Sequence, residues 1–220
     1  MKYLGAGSST NSKRPVFKEC EPAVIVKGNG CRVWDIDGNE YIDFKCALGP
    51  VTLGYNISEI NQAIIEQLKC GISFSYPHPL EGEVAKKLVE VIPCAEKVRF
   101  LKTGGEAIAA CIKIARNYTK RKIILHCGYN GWLNNFEISN VLPSGIRDSA
   151  PQKGIPPEIS SLHKNLPWAE FDLWEKLFNE KGEEIAAVVI ASDYKEIEKG
   201  KEFLPFIRKL TEKYGALMIM

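Results

Sequence analysis

Two short glycine-containing runs hold the residue types from which a site for an anionic or planar ligand can be built. The first is Phe100-Leu101-Lys102-Thr103-Gly104-Gly105-Glu106-Ala107. An apolar stretch ends there, two glycines let the backbone turn tightly, and helical spacing begins. Thr103 and Glu106 have the T-x-x-E spacing of a capping box, in which each side chain satisfies a backbone N–H at the other's position. The first N–H groups of such a helix lack internal partners and lie at the positive end of its dipole. With no Cβ at Gly104 or Gly105, a phosphate can approach closely, so Thr103, Gly104 and Gly105 form a candidate phosphate cradle. A well-capped helix with no ligand also accounts for the octet, which alone leaves both readings open. The octet is neither G-x-G-x-x-G nor a P-loop, so nucleotide readings based on those motifs find no support.

The second run is His126-Cys127-Gly128-Tyr129-Asn130-Gly131-Trp132. Its glycines place Tyr129 on a loop after a strand, where the ring could stack on a planar heterocycle and the hydroxyl reach a polar group. A loop aromatic that only covers the edge of a core is the competing reading. Other candidates carry less. His78, between Pro77 and Pro79, could meet a substrate but reads more simply as turn packing. His126 and His163 are isolated, with no carboxylate or cysteine at ligand spacing, which argues against a metal. The charged residues Arg208, Lys209, Glu212 and Lys213 read as a solvated helix face, and 193–199 as an exposed loop.

These residues need elements to position them. The first thirty residues, rich in Gly, Ser, Thr, Asn and Lys, read as an arm, and Gly28-Asn29-Gly30 as a turn. Alternation in 31–35 and 40–44 around Asp37-Gly38-Asn39 predicts a β-hairpin. Ile60, Ala63, Ile64 and Leu68 follow the helical period from a Ser58 N-cap; Val84, Leu88 and Val91 should face inward on a second helix over 80–91, stopped at Pro93. Strands and helices then alternate: a short strand over 97–101, a helix over 104–118 and a strand over 123–127. A loop-rich region with Pro143, Pro151, Pro156, Pro157 and Pro167 follows. Beyond it come a helix near 170–181, a buried strand over 186–191, a helix over 203–214, and a strand from Ala216. This order implies an α/β fold with a mainly parallel sheet and helices on both faces. The sequence stops at Met220, inside what reads as a buried central strand, which suggests truncation.

Composition narrows the function. A 45% hydrophobic, 25% charged chain of 220 residues is not a disordered tail, a fibre or a disulfide mini-protein. Twenty-nine basic against 27 acidic residues give a net +2, too little to point to nucleic acid or an anionic membrane. The longest apolar run, 185–191, falls far short of the roughly 18 residues a membrane span needs, and the N-terminus lacks a signal peptide's apolar core. Seven cysteines, odd in number and without a C-x-x-C pair, fit a reducing, cytoplasmic setting.

The order of these signals resembles the class III aminotransferases. The resemblance lies in Gly30-Cys31-Arg32-Val33-Trp34-Asp35-Ile36-Asp37-Gly38-Asn39-Glu40-Tyr41-Ile42-Asp43, Leu48-Gly49-Pro50 with Leu53-Gly54-Tyr55, and Val98-Arg99-Phe100. It continues in Thr103–Ala107 and Gly128–Gly131. Gly71-Ile72-Ser73-Phe74-Ser75-Tyr76-Pro77 is most similar to the glutamate-1-semialdehyde 2,1-aminomutase branch. The resemblance covers residue 5 to the end. It implies the N-terminal part of a fold-type I enzyme dependent on pyridoxal 5'-phosphate (PLP). That part would comprise an arm and β-hairpin segment of a small domain over 1–55 and an incomplete PLP-binding large domain over 56–220. The implied activity moves an amino group to or within a small carbonyl substrate, in a homodimer when full length. Thr103, Gly104 and Gly105 then match the residues on the phosphate, Tyr129 the ring stacked on the pyridine, and Asn130 the middle of the family's Tyr-His-Gly. The aspartate on the ring nitrogen and the Schiff-base lysine would both fall beyond Met220, so no catalytic residue is assigned and residues 1–220 alone should be inactive.

Several positions depart from the pattern. Besides Asn130, Leu48 replaces the aminomutase's tryptophan, Ala191-Ser192 replaces a Glu-Pro, and Arg14 is one place out of register with an arginine that holds a carboxylate. Two alternatives remain beside the enzyme reading: a non-catalytic module for a phosphorylated ligand or a partner chain, and one half of a split aminotransferase.

Overall fold

A computed structural model describes residues 3–15, 17, 19–131, 133, 154–191 and 194–220. Contacts divide the chain into two compact units, Met1–Val84 and Ala85–Met220.

The first unit is organised by the turn after Asp35. Strands β1 (Ile25–Asn29), β2 (Arg32–Asp35) and β3 (Glu40–Ile42) form an antiparallel sheet in that order. The Asp35 carboxylate accepts the N–H groups of Asp37 (3.0 Å) and Asn39 (2.8 Å), the Asn39 amide (3.0 Å) and the Tyr41 hydroxyl (2.9 Å). Donation by Asn39, ahead of the other groups, holds this carboxyl below the usual range, while Gly38 supplies the positive φ of 87°. The hairpin over 31–44 is therefore present, but the arm reading fails at β1. Gly28 and Asn29 are strand residues, and the turn lies at Gly30-Cys31. Gly28 is required by packing: a Cβ there would lie 2.5 Å from the Tyr55 ring, whose backbone pairs with Gly30 at 2.9 and 2.8 Å. After β3 comes a left-handed turn, with Cys46, Ala47 and Leu48 at φ 45°, 51° and 65°. Asp43 holds it by accepting the N–H groups of Lys45 (2.8 Å) and Cys46 (3.2 Å) and the Tyr55 hydroxyl (2.8 Å).

Helix α1 runs over Ser58–Cys70 and α2 over Pro79–Val91. Two expectations fail here. The N-cap of α1 is Ile57, without a side-chain cap, and the Ser58 hydroxyl instead donates to Glu59 at 2.7 Å. The apolar stripes are not inward: Ile60, Ile64, Leu68, Val84 and Val91 are exposed, and Leu88 is half-buried. Periodicity establishes that a helix has an apolar face, whereas burial needs a facing element, and none among the described residues covers these.

In the second unit α3 (Gly104–Thr119) leads into β4 (Ile123–Cys127). Residues 97–101, expected as a strand, have no ladder partner among the described residues. The proline-rich region contains two elements too short for periodicity to reveal, α4 (Pro157–Ser160) and β5 (His163–Asn165), while Pro143 and Pro151 lie outside the described residues. Then follow α5 (Phe171–Lys181), β6 (Ile185–Ile190), α6 (Gly200–Tyr214) and β7 (Leu217–Ile219). The sheet is parallel throughout, in the order β5-β4-β6-β7. Alternation along β4 and β6 splits the core. Ile123, Leu125, Ile185 and Val188 pack with Trp174, Phe178, Phe203 and Ile207 of α5 and α6. Ile124, Ala186, Ala187 and Val189 pack with Ile112 and Ala115 of α3. Helices therefore cover both faces, as strand–helix alternation requires. The segment expected as an exposed loop is, over Tyr194–Lys199, a 3-10 helix pinned by the Trp168 indole, which donates to the Glu196 carbonyl at 3.2 Å. The solvated face of α6 is exposed as expected at Arg208, Lys209, Glu212 and Lys213. Among the described residues no helix is long and apolar enough to cross a membrane.

Candidate active site

The N-terminus of α3 forms because Thr103 stops the chain in an extended conformation (φ −136°, ψ 157°) and caps the helix. Its hydroxyl oxygen accepts the Glu106 N–H at 3.2 Å and donates to the Glu106 carboxylate at 3.0 Å. Only one half of the expected capping box is therefore made, because the carboxylate takes the hydroxyl proton in place of a backbone N–H. The 16-residue helix behind this cap directs its dipole at Gly104 and Gly105.

The two glycines differ. A Cβ at Gly104 would meet nothing within 4 Å among the described residues, which leave the space over the helix terminus open. A Cβ at Gly105 would touch Leu133 at 3.5 Å and the Gly131 Cα at 3.7 Å. Gly131 itself, at φ 107°, tolerates no side chain, since its Cβ would lie 2.7 Å from the Gly105 Cα. The loop after β4 therefore lies backbone to backbone on the first turn of α3. At the loop's other end, a Cβ on Gly128 (φ 73°) would come within 2.6 Å of the Ala191 carbonyl, and the Ala191 N–H donates to the Cys127 carbonyl at 2.9 Å. Thr103, the Tyr129 loop and the residue after β6 thus meet at the carboxyl edge of the parallel sheet, where ligands of open α/β sheets bind.

Tyr129 sits at the apex, 65% exposed. Asn130 turns inward, and its amide nitrogen donates to the carbonyls of Cys127 (3.0 Å) and Gly128 (3.2 Å). The structure therefore brings all five candidates together, Thr103, Gly104 and Gly105 at the N-terminus of α3 and Tyr129 and Asn130 on the loop that touches it; Trp132 lies outside the described residues. Open space over the first N–H groups of a helix fits an anion, and an exposed ring beside it fits a flat heteroaromatic ligand.

The remaining candidates lie elsewhere. The His78 ring accepts the Leu80 N–H at 3.2 Å and stacks on Phe74 with centroids 5.3 Å apart, which supports turn packing. Arg14 is exposed, and Leu48 is exposed in the left-handed turn. His126 and His163 are not isolated. Pairing of β4 with β5 brings their rings edge to face at 6.0 Å on the side of α3, with an Arg116 guanidinium nitrogen 3.2 Å from His163 Nε2. Burial, then the charge of Arg116, then His126 push the His163 imidazole down to about 3. Sequence spacing could not show this cluster, because 47 residues separate Arg116 from His163.

Comparison with known proteins places the geometry. The chain is 38% identical over 228 residues to glutamate-1-semialdehyde 2,1-aminomutase of Sulfurihydrogenibium sp. (strain YO3AOP1), covering 99% of this chain and 52% of that protein. It is 40% identical over 227 residues to the aminomutase of Persephonella marina, with the same coverage. The chain thus spans about half the length of the curated relatives it matches. Among solved structures, an omega-transaminase from Sphaerobacter thermophilus superposes with a TM-score of 0.85 at 29% identity, over 99% of this chain and 51% of its own. A structure described as a transaminase with PLP bound gives 0.87 at 26% identity, again over 99% and 51%. These neighbours agree with the fold-type I α/β architecture expected from the sequence. The profile of the family described as Aminotransferase class-III matches residues 16–220, and the chain belongs to the class III aminotransferases.

Proposed function

We propose that this chain carries the cofactor-holding face of a PLP-dependent aminotransferase or aminomutase, similar to glutamate-1-semialdehyde 2,1-aminomutase, that moves an amino group to or within a small carbonyl substrate. One observation carries the reading: the open space above Gly104 adjoins the loop that presents Tyr129. In this reading Thr103 and the N–H groups at Gly104 and Gly105 hold the phosphate, the Tyr129 ring covers one face of the pyridine, and Asn130 belongs to the same loop. PLP bound there supplies an aldehyde for the amino group and a ring that takes up electron density from the substrate's Cα. The helix dipole and the fixed N–H groups anchor the anion without moving, so the ring is oriented before substrate arrives. Residues 1–55 act as the arm and hairpin of a small domain and 56–220 as part of the large one, in a cytoplasmic homodimer. Residues 1–220 alone should not transaminate; a borohydride-stable PLP adduct on one specific lysine of this segment would contradict that.

The test of the site compares Gly104→Val with Thr103→Ala in the protein expressed from its complete reading frame. A Cβ at Gly104 meets no atom of the described residues, so Gly104→Val should fold yet obstruct the phosphate. Thr103→Ala removes one contact and a cap worth about 0.5–2 kcal/mol. PLP titration followed by cofactor absorbance, with circular dichroism as the folding control, should show the larger loss for Gly104→Val. Parent-like PLP binding by folded Gly104→Val would overturn the phosphate assignment.

A further inference from the structure

We infer that Asn130 is a positioning residue, one that serves the ligand by fixing the turn that presents Tyr129. The inference rests on the site proposed above and deepens it. A carboxamide nitrogen has two hydrogens, and here it faces two backbone carbonyls, Cys127 O at 3.0 Å and Gly128 O at 3.2 Å. Both flanking partners are acceptors, so the hydrogen-bond network itself sets the orientation of the amide. No donor remains for an anion, and the Oδ1 left over is an acceptor that a phosphate would repel.

The turn needs such a clamp. Gly128 and Gly131, at φ 73° and 107°, bracket Tyr129 with two of the least restricted residues in the chain. Their glycine character is dictated by close approach, to Ala191 on one side and Gly105 on the other. The same contacts that dock the loop therefore remove the side chains that would have stiffened it. Asn130 restores the stiffness from within. The Cys127 carbonyl takes both the Ala191 N–H (2.9 Å) and the Asn130 amide, which ties the turn to the end of β6. Tyr129 is left outside this clamp with its ring exposed and its backbone held on both sides.

A double-mutant cycle on PLP affinity separates positioning from contact, using the protein from its complete reading frame. Asn130→Ala should weaken PLP binding about tenfold, the scale of two lost hydrogen bonds. Asn130→Asp keeps the shape but loses the N–H groups, and should match it. In a Tyr129→Ala background, Asn130→Ala should change affinity by less than about twofold, because the ring it positions is gone. Visible circular dichroism of the bound cofactor should shift in Asn130→Ala toward the Tyr129→Ala spectrum. Losses that multiply across the cycle would mean direct contact and overturn the inference, as would parent-like affinity in either Asn130 variant. If Tyr129→Ala alone binds PLP like the parent, the proposed stacking site fails instead, a result that does not depend on Asn130.

Discussion

Lowering the pH from 7 to 5 should remove about 2 kcal/mol of folding stability through the single residue His163. The imidazole is fully buried between β4 and α3. Arg116 can only donate, so Nε2 accepts and the ring's proton sits on Nδ1. A second proton would place a cation beside Arg116 in a dry site, which is why the folded imidazole titrates near 3. In the unfolded chain the same ring titrates near 6.5. A base whose folded pKa is lowered leaves the unfolded state binding more protons, so stability is complete above pH 6.5 and falls with pH down to about 3. At pH 5 the unfolded ring is protonated and the folded ring is not. The gap of about 1.5 units below 6.5, at 1.36 kcal/mol per unit, gives the figure. His163→Gln keeps an oxygen for Arg116 and cannot titrate. Urea unfolding of parent and variant at pH 7, 6 and 5 isolates the effect, since every other titrating group is shared. The parent should lose about 2 kcal/mol more than the variant over this range. Parallel losses, within about 0.5 kcal/mol, would refute the reasoning and mean that folded His163 takes up the proton.

Arg121 should be a stability determinant: its Nη1 lies 2.5, 3.3 and 3.5 Å from the carbonyls of Tyr214, Ile185 and Gly182, where α6, β6 and the turn after α5 converge. Arg121→Ala should cost about 2 kcal/mol in urea unfolding, and Arg121→Lys should recover only part, because the ammonium has no second nitrogen to meet the Glu183 carboxylate, which Nη2 approaches at 3.3 Å. Gly131→Ala, strained at φ 107° and colliding with the Gly105 backbone, should lift the loop off α3. It should weaken PLP binding, while denaturant unfolding reports a loss of only about 1–3 kcal/mol. Gly182→Ala should lower the Tm, because the new Cβ runs into the Tyr214 ring, which cannot simply swing away while its hydroxyl bonds Asn179 at 2.7 Å.

The elements of this fold were legible where one short stretch contains the whole cause. The Asp35–Asn39 turn, α3 with its Thr103 cap, and the apolar strands β4 and β6 are fixed by side chains within a few residues of each other. Elements whose stability comes from a distant partner escaped. β5 spans only three residues, His163–Asn165, with no apolar alternation, and it is a strand because β4 offers it a ladder. β1 was hidden by Gly28 and Asn29, which read as a turn until Tyr55 is seen packed over Gly28. Residues 97–101 fail in the opposite direction: their composition suits a strand, but none of the described residues forms a ladder with them.

The candidate site shows the same division, and there the structure decides more than position. From sequence, Gly104 and Gly105 are an undifferentiated pair that a capped helix explains more simply than a phosphate cradle. Their surroundings separate them. Gly105 is accounted for by the protein, since Leu133 and the Gly131 backbone occupy the space beside it. Gly104 is not: its φ lies outside the left-handed region and a Cβ there would meet nothing among the described residues. At that position alanine would favour the helix by roughly 0.5–1 kcal/mol, so the fold gains nothing from glycine. A glycine that no described neighbour requires, at the positive end of a 16-residue helix and beside an exposed tyrosine, is what the proposed phosphate site would need, since it leaves room for an anion to come close. In that reading the ligand's anionic group would meet the helix terminus, which stabilises negative charge, and its planar part the ring of Tyr129.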